Sequence, residues 1–172
     1  MQLPRQLPWQ LLGITGWSGS GKTTLLTALL PLLTARGLSV STVKHAHHEF
    51  DLDQPGKDSW RHRQAGAREV MIASGRRWAL MHENDGPEPD LAALVARLSP
   101  VDLVLVEGFK ASPHPKIEVH RPALGKPPIW PGRTDIHAVA TDAPLPECDR
   151  PCLPLADPAA IAAWIVAARI VP

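Results

Sequence analysis

Cysteine is scarce in this 172-residue chain: Cys148 and Cys152, in "CDRPC", are the only two. A three-residue spacer fits neither the usual zinc knuckle nor the redox dithiol spacing. With no wider framework of thiols, a reducing cytoplasm is the expected setting. A surplus of charge is also missing. Lys and Arg number 18 and Asp and Glu 17, a formal net charge of +1. That balance gives no electrostatic reason to expect nucleic acid or an anionic membrane as a partner. No stretch approaches the roughly 18 apolar residues of a membrane span. The opening "MQLPRQLPWQLLGITG" carries prolines where a signal peptide would need an unbroken apolar core.

What is there is ordinary globular material. The apolar fraction of 44% and charged fraction of 20% suit a soluble domain, and the length suits one domain, residues 1–172, with a real core. The 19 prolines are about twice average usage and cluster at the N-terminus and after Ser112. "LLGIT" (Leu11 to Thr15) reads as a strand. "KTTLLTALLPLLTARG" has Leu25, Leu26, Leu29, Leu32 and Leu33 at helical spacing, Gly37 as a stop, and a Pro31 that should kink or shorten it. "LSVSTVK" alternates like a strand, and "KDSWRHRQAGA" reads as a short helix ended by glycine. "EVMIAS" and "RRWALMHE" suggest a hairpin. "PDLAALVARLS" is an amphipathic helix, "VDLVLVEGF" a buried strand, and "KIEVH" and "HAVAT" are further strands. The closing "DPAAIAAWIVAARIV" is a helix with Asp157 as N-cap and Pro158 at its first position. This alternation predicts an α/β fold, P-loop NTPase-like, with a mostly parallel twisted sheet and helices on both faces. Arg121 to Asp135 is too rich in Pro and Gly for regular structure and is expected to be a loop, mobile or partner-facing.

"GWSGSGKT" (Gly16 to Thr23) matches the phosphate-binding pattern G-x-x-x-x-G-K-[ST], between a predicted strand and a predicted helix. Its glycines let Gly16, Trp17, Ser18, Gly19, Ser20 and Gly21 turn backbone N–H groups toward phosphate oxygens, and the helix N-terminus adds positive potential. Lys22 supplies a full charge to the outer phosphates, and the Thr23 hydroxyl can ligate Mg²⁺. A second acid is then needed near the metal. Glu107 ends the apolar run Leu103 to Val106, where a carboxylate can hold Mg²⁺ through water or orient an attacking water. Asp102 starts that strand, at the wrong end. Asp142 falls just past "HAVAT", where a carboxylate can accept from the N1–H and N2–H₂ of guanine; a loop Asp capping its own backbone is the alternative.

"VKHAHHEFDLDQPGKDSW" (Val43 to Trp60) packs three histidines and four carboxylates into a loop on the nucleotide side of the sheet. Asp58 is the first candidate for the Mg²⁺ environment, with Asp53 behind it. Lys57 suits a phosphate or a pterin, and Pro55-Gly56 sets the turn. His45, His47 and His48 read as hydrogen-bonding or pH-sensitive residues. A transition-metal site there would need further donors.

"WSGSGKTTLL", "KHAHHEFDLDQPGKDS", "AGA", "RWALM" and "DLVLVEGFK", in order from Trp17 to Lys110, together resemble the molybdopterin-guanine dinucleotide biosynthesis adaptor proteins, the MobB family. After Lys110 the likeness thins to "AVATD" and the closing helix. The resemblance implies a GTP-binding homodimer with weak hydrolysis. Such a protein would assist the molybdenum cofactor guanylyltransferase MobA, which joins GMP to molybdopterin. It assigns Gly16 to Thr24 to the phosphate cradle, Thr23 and Glu107 to Mg²⁺, and His45 to Ser59 to the loop over the nucleotide. Lys22 and Glu107 are then the candidate catalytic residues. Direct pterin binding by His45, Lys57 and Arg61 stays open. So do two other readings, a P-loop small-molecule kinase and a metallochaperone-type GTPase. No obvious arginine finger is present, though Arg61 and Arg63 are near the loop, and slow turnover is expected.

Overall fold

A computed structural model describes residues 10–46 and 51–168. In chain order its elements are β1 (Gln10–Thr15), α1 (Lys22–Thr34), β2 (Val40–Lys44), α2 (Asp58–Gln64), β3 (Glu69–Ala73), β4 (Trp78–His82), α3 (Leu91–Val95), β5 (Leu103–Glu107), β6 (Lys116–His120), β7 (Ile136–Thr141), β8 (Cys152–Pro154) and α4 (Pro158–Ala167). They form two compact units, one from the chain up to His45 together with Leu91 onward, the other from Ala46–Asp90. No described helix is long and apolar enough to cross a membrane.

The first unit is built on a six-stranded sheet in the order β2-β5-β1-β6-β7-β8, with every pair parallel. Parallel strands buried on both faces need continuous apolar runs, and Leu103 to Val106 are all fully buried. Alternate residues serve opposite faces. Leu12, Ile14, Leu103, Leu105, Ile117 and Val119 pack against α1 and α4 through Leu25, Leu29, Leu33, Ile161 and Ile165. Leu11, Val104 and Val106 pack against Leu91 and Val95 of α3. Helices on both faces are therefore present, as the alternation predicts.

Pro31 does not stop α1, which runs on to Thr34. The stop is made three residues later. The Gly37 N–H donates to the Thr34 carbonyl at 2.9 Å and the Leu38 N–H to the Leu33 carbonyl at 3.3 Å. These are the two bonds of a Schellman cap, closed by contact of Leu33 and Leu38 with the same core. Asp157 caps α4, accepting from the Ala160 N–H at 3.0 Å. α3 is shorter than its pattern predicts, and β8 has no hydrophobic signature strong enough to be read in advance.

The Pro-rich segment carries a 3-10 turn at Pro122–Leu124 and is otherwise irregular, but its second half is anchored. On the β6/β7 half of the sheet, the face opposite α1 carries Lys116, Glu118 and His120, all buried. Among the described residues no helix covers them; the Pro-rich segment does. Glu118 accepts from the Ile129 N–H at 2.9 Å and the Trp130 N–H at 2.8 Å. The Trp130 ring meets the His120 ring edge-on at 5.3 Å, and Trp130 packs with Ile136 and Val139. Lys116 Nζ donates to Asp135 at 2.6 Å, to the His114 carbonyl at 3.0 Å and to the Ser112 carbonyl. Arg133 and then Lys116 hold Asp135 well below the usual carboxylate range, against the opposing effect of burial. Half of this loop is thus a structural layer, because a buried carboxylate needs donors and the loop supplies them.

In the second unit α2 precedes the antiparallel β3–β4 hairpin, paired Glu69↔His82 through Ala73↔Trp78. Arg63 binds Asp51 at 2.6 Å and Glu83 at 3.1 Å. The hairpin exposes Met71, Ile72, Trp78 and Leu80.

Candidate functional site

β1 ends at Thr15 and α1 begins at Lys22, so the glycine-rich turn fills the gap at the carboxyl end of the sheet. Gly16 has φ +143°, and a Cβ there would lie 2.5 Å from the Val119 carbonyl oxygen and 2.7 Å from Ser20 Oγ. No side chain fits. Ser20 N–H donates to the Trp17 carbonyl at 3.2 Å, and Leu25 N–H to that of Gly21 at 2.9 Å. Gly21, the N-cap, offers no side-chain acceptor, which leaves the first N–H groups of α1 to an outside anion. The buried Ser20 Oγ has no hydrogen-bond partner among the described residues. This chemistry fits a phosphate: donors are concentrated here and acceptors are few.

Lys22 Nζ donates to the Trp17 carbonyl at 2.9 Å. Burial pushes its ammonium below the ordinary lysine range; Glu107 opposes this, while Lys110 and Lys44 add to it. Thr23 Oγ1 donates to Glu107 Oε1 at 2.8 Å, joining the start of α1 to the end of β5. Glu107 is register-matched to Ile14 on one side and Lys44 on the other. Just beyond it the backbone is strained. Phe109 has φ +48°, the one positive φ of a non-glycine among the described residues. A Cβ on Gly108 (φ +98°) would lie 2.6 Å from His45 Cβ. His45 N–H donates to the Glu107 carbonyl at 2.8 Å, and its ring lies 4.8 Å from that of Phe109. The kink therefore fixes the carboxylate beside the hydroxyl. An oxygen-only pair of this kind suits a hard divalent cation.

On the other side of α1 an open cleft of about 260 Å³ is lined by Ser20, Gly21, Thr24, Arg121, Asp142 and Leu155, among others. Asp142 Oδ2 accepts from Arg121 Nε at 2.7 Å; Oδ1 accepts no hydrogen bond from the described residues. The fold thus brings Gly16 to Thr24, Glu107 and Asp142 to one rim of one sheet. Trp17 was among the predicted site residues; Arg121 and Lys110 were not. The Trp17 indole N–H donates to the Pro127 carbonyl at 2.7 Å, and Lys110 Nζ lies 5.0 Å over its ring.

Of the acidic loop, His47 and His48 lie outside the described residues. Asp51 and Asp53 hold the loop itself. Asp53 Oδ1 accepts from Gln54 N–H and Ser59 Oγ, both at 2.9 Å. The Asp53 N–H, and then Arg63, hold Asp51 below the usual carboxylate range. Asp58 is the exposed first residue of α2 and has no partner among the described residues; it belongs to the second unit, Thr23 and Glu107 to the first. Among the described residues no three His, Cys, Asp or Glu side chains converge to hold a metal ion.

A parallel sheet with a glycine-rich turn leading into α1, and an acid closing the adjacent strand, is an α/β fold of the P-loop NTPase type. The family model for "MobB: Molybdopterin guanine dinucleotide synthesis protein B" matches residues 11–142, and the chain belongs to this family. It is 50% identical over 150 residues to the molybdopterin-guanine dinucleotide biosynthesis adapter protein of Haemophilus influenzae, covering 86% of this chain and 82% of that one. With the protein of the same name from Escherichia coli it shares 48% over 139 residues, 78% of this chain and 79% of the other. A crystal structure of molybdopterin-guanine biosynthesis protein B superposes with a TM-score of 0.72 at 31% identity, over 92% of this chain and 99% of that one.

Proposed function

We propose that this chain is an adapter protein of molybdopterin guanine dinucleotide biosynthesis that binds GTP with Mg²⁺ and hydrolyses it slowly in the cytoplasm. Its partner would be the guanylyltransferase MobA, with molybdopterin as a ligand near the acidic loop. The observation that carries the nucleotide reading is the 2.8 Å bond from Thr23 to Glu107 at the mouth of the glycine-rich turn. The adapter role is supported by the names of the relatives. Thr23 and Glu107 would hold Mg²⁺, which when bound offsets phosphate charge. Lys22 would leave the Trp17 carbonyl for the outer phosphates. Asp142, steadied by Arg121, would read guanine through Oδ1.

Slow hydrolysis is supported by one arginine of the second unit. Arg63 is already committed to Asp51 and Glu83, and a missing arginine finger costs several powers of ten in rate. A homodimer is supported by the hairpin, since a lone two-stranded sheet with Met71, Ile72, Trp78 and Leu80 exposed is marginal in water.

Paired calorimetric titrations with GTP and ATP, each with Mg²⁺, test the site. GTP should bind the more tightly, and Lys22→Ala should weaken it about ten- to hundred-fold, the loss of one charge-assisted contact. Equal affinities for the two nucleotides would remove the guanine assignment. An affinity indifferent to Lys22→Ala would remove the phosphate cradle.

A further inference from the structure

The spacing of "CDRPC" gives no reason to pair its thiols, but the fold does. Cys148 Sγ and Cys152 Sγ both donate to the Arg150 carbonyl, at 3.6 Å and 3.7 Å. Burial, and then the neighbouring Cys148 thiol, raise the Cys152 thiol above its ordinary value. The backbone between them is clamped. Arg150 Nε donates to the Ile136 carbonyl at 3.0 Å and Nη2 to the Arg133 carbonyl at 3.2 Å. Cys148 N–H donates to the Leu145 carbonyl at 3.0 Å, and Val139 N–H to that of Pro151 at 2.9 Å. Both cysteines are free; Cys148 is half-buried against Trp130, Ile136 and Val139, and Cys152 is exposed on the edge strand β8. The shared Arg150 carbonyl places both thiols around one oxygen atom.

We propose that Cys148 and Cys152 are a modification site: a dithiol that closes reversibly to a disulfide by exchange with a small-molecule disulfide. The exposed Cys152 thiolate attacks one sulfur of the incoming disulfide and expels one thiolate. Cys148, as thiolate, then attacks Cys152 Sγ and expels the second. Two protein thiols are oxidised and the incoming disulfide is reduced to two thiols, the two protons lost by Cys148 and Cys152 being taken up by the two expelled thiolates. The bond would staple the β7–β8 connection, whose shallow groove is lined by both Asp142 and Cys152. This site stands independently of the nucleotide reading, because its chemistry uses no nucleotide.

The test is intact-mass and peptide analysis of the full folded chain equilibrated with oxidised and reduced glutathione. The expected result is an intramolecular Cys148–Cys152 disulfide, reversed by dithiothreitol, while Cys148→Ser and Cys152→Ser each stop at a single glutathione adduct. Closure should be at least about tenfold more favourable in the folded chain than in urea, roughly 30 mV in potential. Glutathione adducts without ring closure in the folded wild type would overturn the proposal. So would disulfides only between chains, or closure no more favourable folded than unfolded.

Discussion

Glu118 offers the sharpest test of the reading that the Pro-rich segment is a structural layer. Its side chain is fully buried on β6 and takes the Ile129 and Trp130 N–H groups at 2.9 and 2.8 Å. In Glu118→Leu both donors lose their acceptor in a site that water does not reach. Each such orphan costs about 1–3 kcal/mol. Part of that loss is offset, because burial already disfavours the ionised carboxylate and lifts its pKa, and the substitution removes that strain. A net loss of about 2–4 kcal/mol is expected. Glu118→Gln keeps a carbonyl acceptor without the buried charge and should cost about 1 kcal/mol or less. Urea unfolding gives the stabilities, and amide hydrogen exchange at Ile129 and Trp130 reports the local effect, which should be faster in the Leu variant alone. A Leu variant as stable as the wild type, or a Gln variant as damaged as the Leu one, would refute the reasoning.

Three further outcomes are expected. Thr23→Val and Glu107→Gln should each weaken the Mg²⁺ dependence of GTP affinity, by about ten-fold, without abolishing binding in the absence of Mg²⁺; calorimetry with and without the cation reads this. Buried His114, whose ring nitrogens have no hydrogen-bond partner among the described residues, is pushed down to about 4, chiefly by burial and then by Lys116. The unfolded chain therefore takes up the proton first, and stability falls as pH drops from the ordinary histidine value of 6.5 toward 4, by at most about 3 kcal/mol. Urea midpoints across that range should fall less steeply in His114→Asn. Gly108→Ala forces a left-handed alanine against His45 Cβ, costing about 1–2 kcal/mol for the backbone alone. In thermal melts it should lower the midpoint, and a Gly108→Ala chain as stable as the wild type would discount the kink.

The fold was legible wherever a local pattern carried its own physics. The run Leu103 to Val106 cannot be satisfied except between two layers, and the glycines before Lys22 leave few other conformations. Asp157-Pro158 announces the start of α4 for the same reason. What was hidden depends on strand order. Arg121 and Asp142 each stand one residue past a strand end, and those ends, His120 and Thr141, are register partners; without knowing that β6 neighbours β7, nothing links two residues 21 apart. The Pro-rich segment misled because its composition describes its backbone, whereas its placement is decided by a carboxylate and a lysine on another strand. Pro31 did not shorten α1, since the helix is held by the burial of Leu29 and Leu33 more firmly than one missing N–H can undo.

The matched strand ends also say where evolution can lengthen this chain. Ile14, Glu107 and Lys44 lie side by side across three strands. One residue inserted between Leu103 and Val106 would send the Glu107 side chain to the opposite face of the sheet. Deleting one residue there does the same. Length changes in β5 should therefore be absent among functioning homologues, while the exposed turn between Glu83 and Glu88, outside any ladder, can grow or shrink. The gap pattern of an alignment would mark the chemistry of this protein as clearly as its identical residues.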